Sequence, residues 1–214
     1  MGVCSPQPGV SMDAAWKRKA GKQRYVVTTH LLQRLREIEY EVMQVMPPSR
    51  ERRLQTRETM PLRELREAAL LCHGLAARFG ETIGVTHWEE HDHDAVALIQ
   101  KPGESCFYPL QMKQLPPDDL SPQASLQGII DSLPAKYPRS PQLTVGVSLN
   151  RNQHIDFRAL SIPRMNIGGL FFFGASSPDQ SEWILWGDAL SPDPFVTFFT
   201  YPDVAPPADG LAQV

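Results

Sequence analysis

The chain has 214 residues, 42% apolar and 21% charged, and its 21 Lys and Arg against 24 Asp and Glu leave a formal net charge of −3. That is the profile of one globular domain with a substantial core. No apolar run approaches the about 20 residues that cross a bilayer. The N-terminus lacks the apolar core of a signal peptide. Cys4, Cys72 and Cys106 have the spacing of neither a disulfide framework nor a zinc ribbon, which points to a reducing cytoplasm.

Charge is unevenly spread. Residues 1–66 carry 13 Lys and Arg against 7 acids, and the remainder carries 8 against 17. A basic face beside an acidic one suits nucleic acid together with a cation, and it equally suits a solvated helix surface. Residues 1–28 read as a basic arm, flexible or loosely docked, with Lys17, Arg18, Lys19, Lys22 and Arg24. Residues 29–202 read as a single domain, and residues 203–214 as a loose tail.

Leu31, Leu32, Leu35, Ile38, Val42 and Val45 recur at helical spacing, which predicts a helix over 29–46 stopped by Pro47 and Pro48. An Arg-rich connector over 49–58 follows. A second helix opens near Pro61 and ends before Gly80, with Leu62, Leu65, Ala69, Cys72, Ala76 and Phe79 as its buried stripe. Glu64 and Glu67 are neighbours on its surface.

Residues 82–88 predict a strand, and residues 89–117 a hairpin about Pro102-Gly103. With those two as the loop, Lys101 faces Glu104, Asp94 faces Gln111 and Asp92 faces Lys113. Gln111 and Lys113, two apart on one strand, share a face. L-Pro-Gly favours a type II turn, and a one-residue slip would send both Asp side chains to the other face. A helix over 123–133 then leads to a strand over 143–149 rich enough in apolar residues to be buried on both faces. Strand, crossover helix and strand predict parallel pairing. Residues 155–162 show little periodicity, and 167–174, 183–186 and 195–201 read as further strands. The element order predicts an α/β (α+β) protein around a mixed sheet.

A helix carrying Glu, a meander with Asp94 and a closing Gln111-x-Lys113, then a helix and a strand resemble the PD-(D/E)XK nuclease superfamily over roughly residues 60–150. The resemblance implies a restriction-endonuclease-like mixed β-sheet flanked by helices, here with extra C-terminal strands. It implies a site in which Asp94 is the principal metal ligand, Gln111 stands where the family has an acidic residue, and Lys113 is the catalytic lysine. Glu67 or Glu64 would assist, and Asp92 is a lesser ligand. The implied cofactor is Mg²⁺ or Mn²⁺, and the implied function is endonuclease-like phosphodiester cleavage of nucleic acid, with DNA favoured over RNA. A metal held by carboxylates and carbonyl oxygens makes a water nucleophilic, and a nearby lysine orients that water or offsets charge in the transition state. Apposed carboxylates are expected to keep Lys113 protonated.

Gln111 supplies one charge fewer than Asp or Glu. A second reading therefore stays open: the same fold without metal, serving as a protein- or nucleic-acid-binding module, with a protein partner or a homodimer. His91 and His93 share a strand face and could chelate zinc or iron, but a third ligand is not evident and His154 stands apart. The aromatic runs 171–173 and 195–199, with Trp183 and Trp186, read as core packing before base stacking. The serines lack a nucleophile-elbow context, Gly168-Gly169 lacks phosphate-loop spacing, and Cys106 reads as packed.

Overall fold

The computed structural model describes residues 13–45, 60–90, 92–151 and 153–203, which leaves the connector over 49–58, His91 and the tail beyond 203 outside. An eight-stranded mixed sheet forms the centre, and its strands lie side by side in chain order from β1 to β8. They are β1 (Val26–Val27), β2 (Ile83–Glu90), β3 (His93–Lys101), β4 (Glu104–Leu115), β5 (Ser140–Leu149), β6 (Ile167–Ala175), β7 (Glu182–Gly187) and β8 (Phe195–Thr200). The helices are α1 (Ala14–Ala20), α2 (Thr28–Val45), α3 (Met60–Phe79) and α4 (Leu126–Lys136). Among the described residues no helix is long and apolar enough to cross a membrane.

Pairing is antiparallel from β1 through β4, parallel for β4–β5 and β5–β6, and antiparallel again through β8. α4 supplies the crossover between the parallel β4 and β5. Ser125 caps its start by accepting from the Gly128 amide, and Leu126, Ile130 and Leu133 form its buried stripe. Between β5 and β6 the described residues make a short 3₁₀ turn, Phe157–Ala159, and no further helix.

Both faces of the sheet are covered. On one, Leu32 of α2 and Ala68–Cys72 of α3 pack on Ala95, Ala97, Leu110, Met112 and Leu185. On the other, the α4 stripe and Tyr137 pack on Leu115, Leu143, Val145, Val147 and Phe172. The α3 stripe is shorter than its sequence suggests: Leu62 is 54% exposed and Phe79, though edge-on to Phe195 of β8, is 39% exposed, both at the helix ends. Gly80 ends α3 at φ +69°, the left-handed region where a Cβ would be strained.

From Asp13 onward the basic N-terminal segment packs against the sheet, and residues 1–12 lie outside the described residues. Asp13 caps α1 by accepting from the Ala15 amide, Ala20 is fully buried, and Trp16 stacks on Trp88 of β2 with ring centroids 5.4 Å apart. The Tyr25 hydroxyl donates to the Ala20 carbonyl at 3.0 Å, and burial pushes that phenol's pKa up to about 12. The two residues of β1 then pair with β2.

Candidate active site

The hairpin register puts the chemistry in place. Lys101 faces Glu104 and Ala95 faces Leu110, with Gly103 at φ +77° in the tight turn. The next positions outward are Asp94 and Gln111, and their side chains meet: the Gln111 Nε2 donates to the Asp94 Oδ2. The same carboxylate oxygen accepts from the Met112 amide at 2.8 Å. The Gln111 Nε2 also donates to the Met112 carbonyl at 3.3 Å. One NH₂ group thus bridges a carboxylate oxygen and a main-chain carbonyl. The β2–β3 ladder shifts register between His87 and Glu90 beside this spot.

Asp92 is not opposite Lys113. It lies in the turn before β3, where its Oδ2 accepts from the Ser140 hydroxyl at 2.8 Å and its Oδ1 lies 3.3 Å from the His93 Nδ1. β3 begins only at His93 and its ladder with β4 ends at Ala95 and Leu110, so Asp92 never joins it. Its carboxylate still borders the same cleft of about 300 Å³, as do Glu64, Glu89, Glu90, Asp94, Gln111, Lys113, Lys136 and Tyr137.

Of the two helix glutamates, Glu64 reaches the cleft and Glu67 does not. Glu67 is 5% exposed and accepts from the Gln114 Nε2 at 3.1 Å, one residue along β4 from Lys113 and therefore on the other sheet face. Burial raises its pKa to about 7 against the pull of Arg63 and Arg66. Burial also raises the Glu64 and Asp94 carboxyls. The Asp94 charge adds to the rise at Glu64, and the Met112 amide and Lys113 oppose the rise at Asp94.

Lys113 departs from expectation. Burial and the adjacent Lys136 lower its pKa to about 8, and Asp94 and Glu64 only partly offset them. The carboxylates that should have kept it fully protonated are outweighed by desolvation and by a second ammonium group. Lys136 and Tyr137 escaped the sequence reading because nothing in the chain order places the end of α4 over β4.

His93 is 3% exposed and sits edge-on to both Trp16 and Trp88, and His91 lies outside the described residues. Among the described residues no group of three or more His, Cys, Asp or Glu side chains is placed to hold a metal ion. A divalent cation would instead draw on Asp94, the Met112 carbonyl and the Gln111 amide oxygen. This hard oxygen set suits Mg²⁺ or Mn²⁺ once the Gln111 amide turns its oxygen inward. Trp183 and Phe199 are buried in one core, and Trp186 stacks on Phe157 at 4.7 Å in the other. Phe198 is the exception at 72% exposed. In comparisons with family models, curated proteins and solved structures, the chain finds no match.

Proposed function

We propose that the protein is a Mg²⁺- or Mn²⁺-dependent phosphodiesterase acting on nucleic acid, endonuclease-like and with DNA as the favoured substrate. The meeting of Asp94, Gln111 and Lys113 at one cleft carries this reading. It is supported by the order helix, antiparallel meander, helix, parallel strand over α3–β5, the order the restriction-endonuclease-like resemblance implies. Asp94 would hold the cation with Gln111 and the Met112 carbonyl, and Glu64 replaces Glu67 as the assisting carboxylate. Bound there, the cation supplies an acidified water and offsets phosphate charge. Lys113, with a pKa of about 8, is charged in most molecules at neutral pH and faces the phosphate that would be cleaved. A cytoplasmic setting accords with the free thiols of Cys72 and Cys106.

One observation favours the metal-free binding module. The Gln111 amide nitrogen already satisfies Asp94 and the Met112 carbonyl, so the site is self-contained without a cation. Cleavage separates the two readings. Wild type, Asp94→Asn and Lys113→Ala are compared on single-stranded and duplex DNA and RNA with Mg²⁺, with Mn²⁺ and with chelator. The hydrolase reading expects metal-dependent cleavage by wild type. Lys113→Ala should bind normally but cut roughly 10²–10³-fold more slowly, and Asp94→Asn should lose metal response and cleavage together. No cleavage by wild type, or equal cleavage by all three, hands the case to the binding module.

A further inference from the structure

The cleft is divided by charge. Its carboxylates come from α3, β2, the turn before β3 and β3 itself, and its two ammonium groups come from β4 and the end of α4. Lys113 Nζ lies 5.7 Å from the centre of the Tyr137 ring, and Lys136 Nζ lies 5.6 Å from it. The two ammonium groups therefore share one aromatic platform. With five carboxylates around the same cleft, ion pairing would be the ordinary arrangement. Yet among the described residues neither lysine closes a salt bridge.

Tyr137 adds a third unmet group. The residue is 3% exposed, its ring is fixed in the core beside Leu133 and Leu143, and its hydroxyl is shielded from solvent with no hydrogen-bond partner. A lysine in the last turn of a helix is favoured by the helix dipole, which accounts for Lys136 alone. It does not account for a second ammonium drawn from β4 to the same ring, nor for the orphaned hydroxyl. Two adjacent cations repel, and a buried donor without an acceptor costs free energy; an anion with several oxygens relieves both.

We propose that Lys113, Lys136 and Tyr137 form a phosphate-binding subsite on the α4 wall of the cleft, facing the carboxylates that would hold the cation. The choice of phosphate over other oxyanions rests on the phosphodiester reading above. Lys136 supplies charge from an exposed position, and Lys113 supplies it from the cleft wall. The Tyr137 ring holds both in place and its hydroxyl is the third donor. Lys136 and Tyr137 are thus binding residues contributed by a helix with no part in the metal set.

The test needs no turnover. Thermal melting is followed against inorganic phosphate with chelator present and ionic strength held constant with chloride. Wild type should show a saturable rise, roughly 3–6 °C at ten times the dissociation constant for a chain of this size. Lys136→Met, an exposed substitution, should abolish the rise, and Tyr137→Phe, which keeps the ring, should reduce it. Asp94→Asn should retain it, because it removes a negative charge from the facing wall. Absence of a saturable rise in wild type, or an equal rise in Lys136→Met, overturns the subsite. If wild type cleaves no nucleic acid but the phosphate response is present and Lys136-dependent, the subsite stands and only the hydrolase reading falls.

Discussion

At Glu67 the protein keeps a carboxyl group that water barely reaches, accepting from the Gln114 Nε2 behind the cleft. Its pKa of about 7 in the folded chain lies above the ordinary 4.5, so its contribution to stability is fully present below pH 4.5 and is lost as pH rises through 7. A shift of that size corresponds to roughly 3 kcal/mol between the two limits. Glu67→Gln keeps the acceptor for Gln114 and removes the titration. Urea unfolding at pH 5 and pH 8 should therefore show wild type weaker at pH 8, and the variant should lose most of that difference. The same pH dependence in both proteins would mean that another group is responsible. Which glutamate enters the cleft was not legible in the sequence: Glu64 and Glu67 are one helical turn apart, and periodicity cannot resolve which sits at the sheet's edge and which beneath it.

Among the elements, α1 is held by few contacts. Its seven residues dock through Trp16 on Trp88 and His93, through buried Ala20, and through Lys19, whose Nζ lies 3.2 Å from the Glu90 Oε1. That exposed ion pair adds little, so the indole is the main attachment. Trp16→Ala should release α1 without unfolding the sheet. Trypsin should then cut after Lys17, Arg18 or Lys19 about ten-fold faster or more, while the core melts nearly as before. An unchanged cutting rate would show that α1 is held by something other than the tryptophan. The longer elements were legible because their periods repeat: α2, α3 and the β3–β4 hairpin lie within a few residues of their sequence limits. The short α1 was not, since its basic residues masked the Asp13 cap and the Trp16–Ala20 spacing. The hairpin carried Asp94, Gln111 and Lys113 to one cleft through a two-residue turn, whereas Lys136 and Tyr137 depend on how α4 lies across the sheet.

For the whole molecule, the uneven charge takes on a shape. Lys19 of α1 sits directly on Glu90 at the rim of the acidic cleft, and Lys17, Arg18, Lys22 and Arg24 lie within five residues of it in the chain. A nucleic-acid backbone lying along that rim would release counterions at each neutralised phosphate. Replacing all five with Gln should weaken binding and make the plot of log affinity against log salt shallower by about 0.7–0.9 per lost contact. Equal affinity and slope would assign these residues to the solvated surface. At the opposite end of the sheet, the edge strand β8 carries no charged residue and exposes Val196 at 50% and Phe198 at 72%. This is an edge of the kind that invites pairing with other chains. Phe198→Lys should leave the fold intact and lower the aggregate fraction seen by light scattering at high concentration. Identical scattering would show that the edge is protected by other means.

The order of the strands also matters during biosynthesis. Because β1 to β8 lie in the sheet as they lie in the chain, each strand leaving the ribosome from β3 onward meets the open edge left by the strand before it. The α2–α3 layer is made before β2 and is ready to cover one face as the meander forms. The parallel step to β5 must wait for α4, which is translated between the strands it joins. From β3 onward synthesis therefore passes its longest such interval after β4 is complete and before β5 arrives, when the edge bearing Gln111 and Lys113 is without its neighbour.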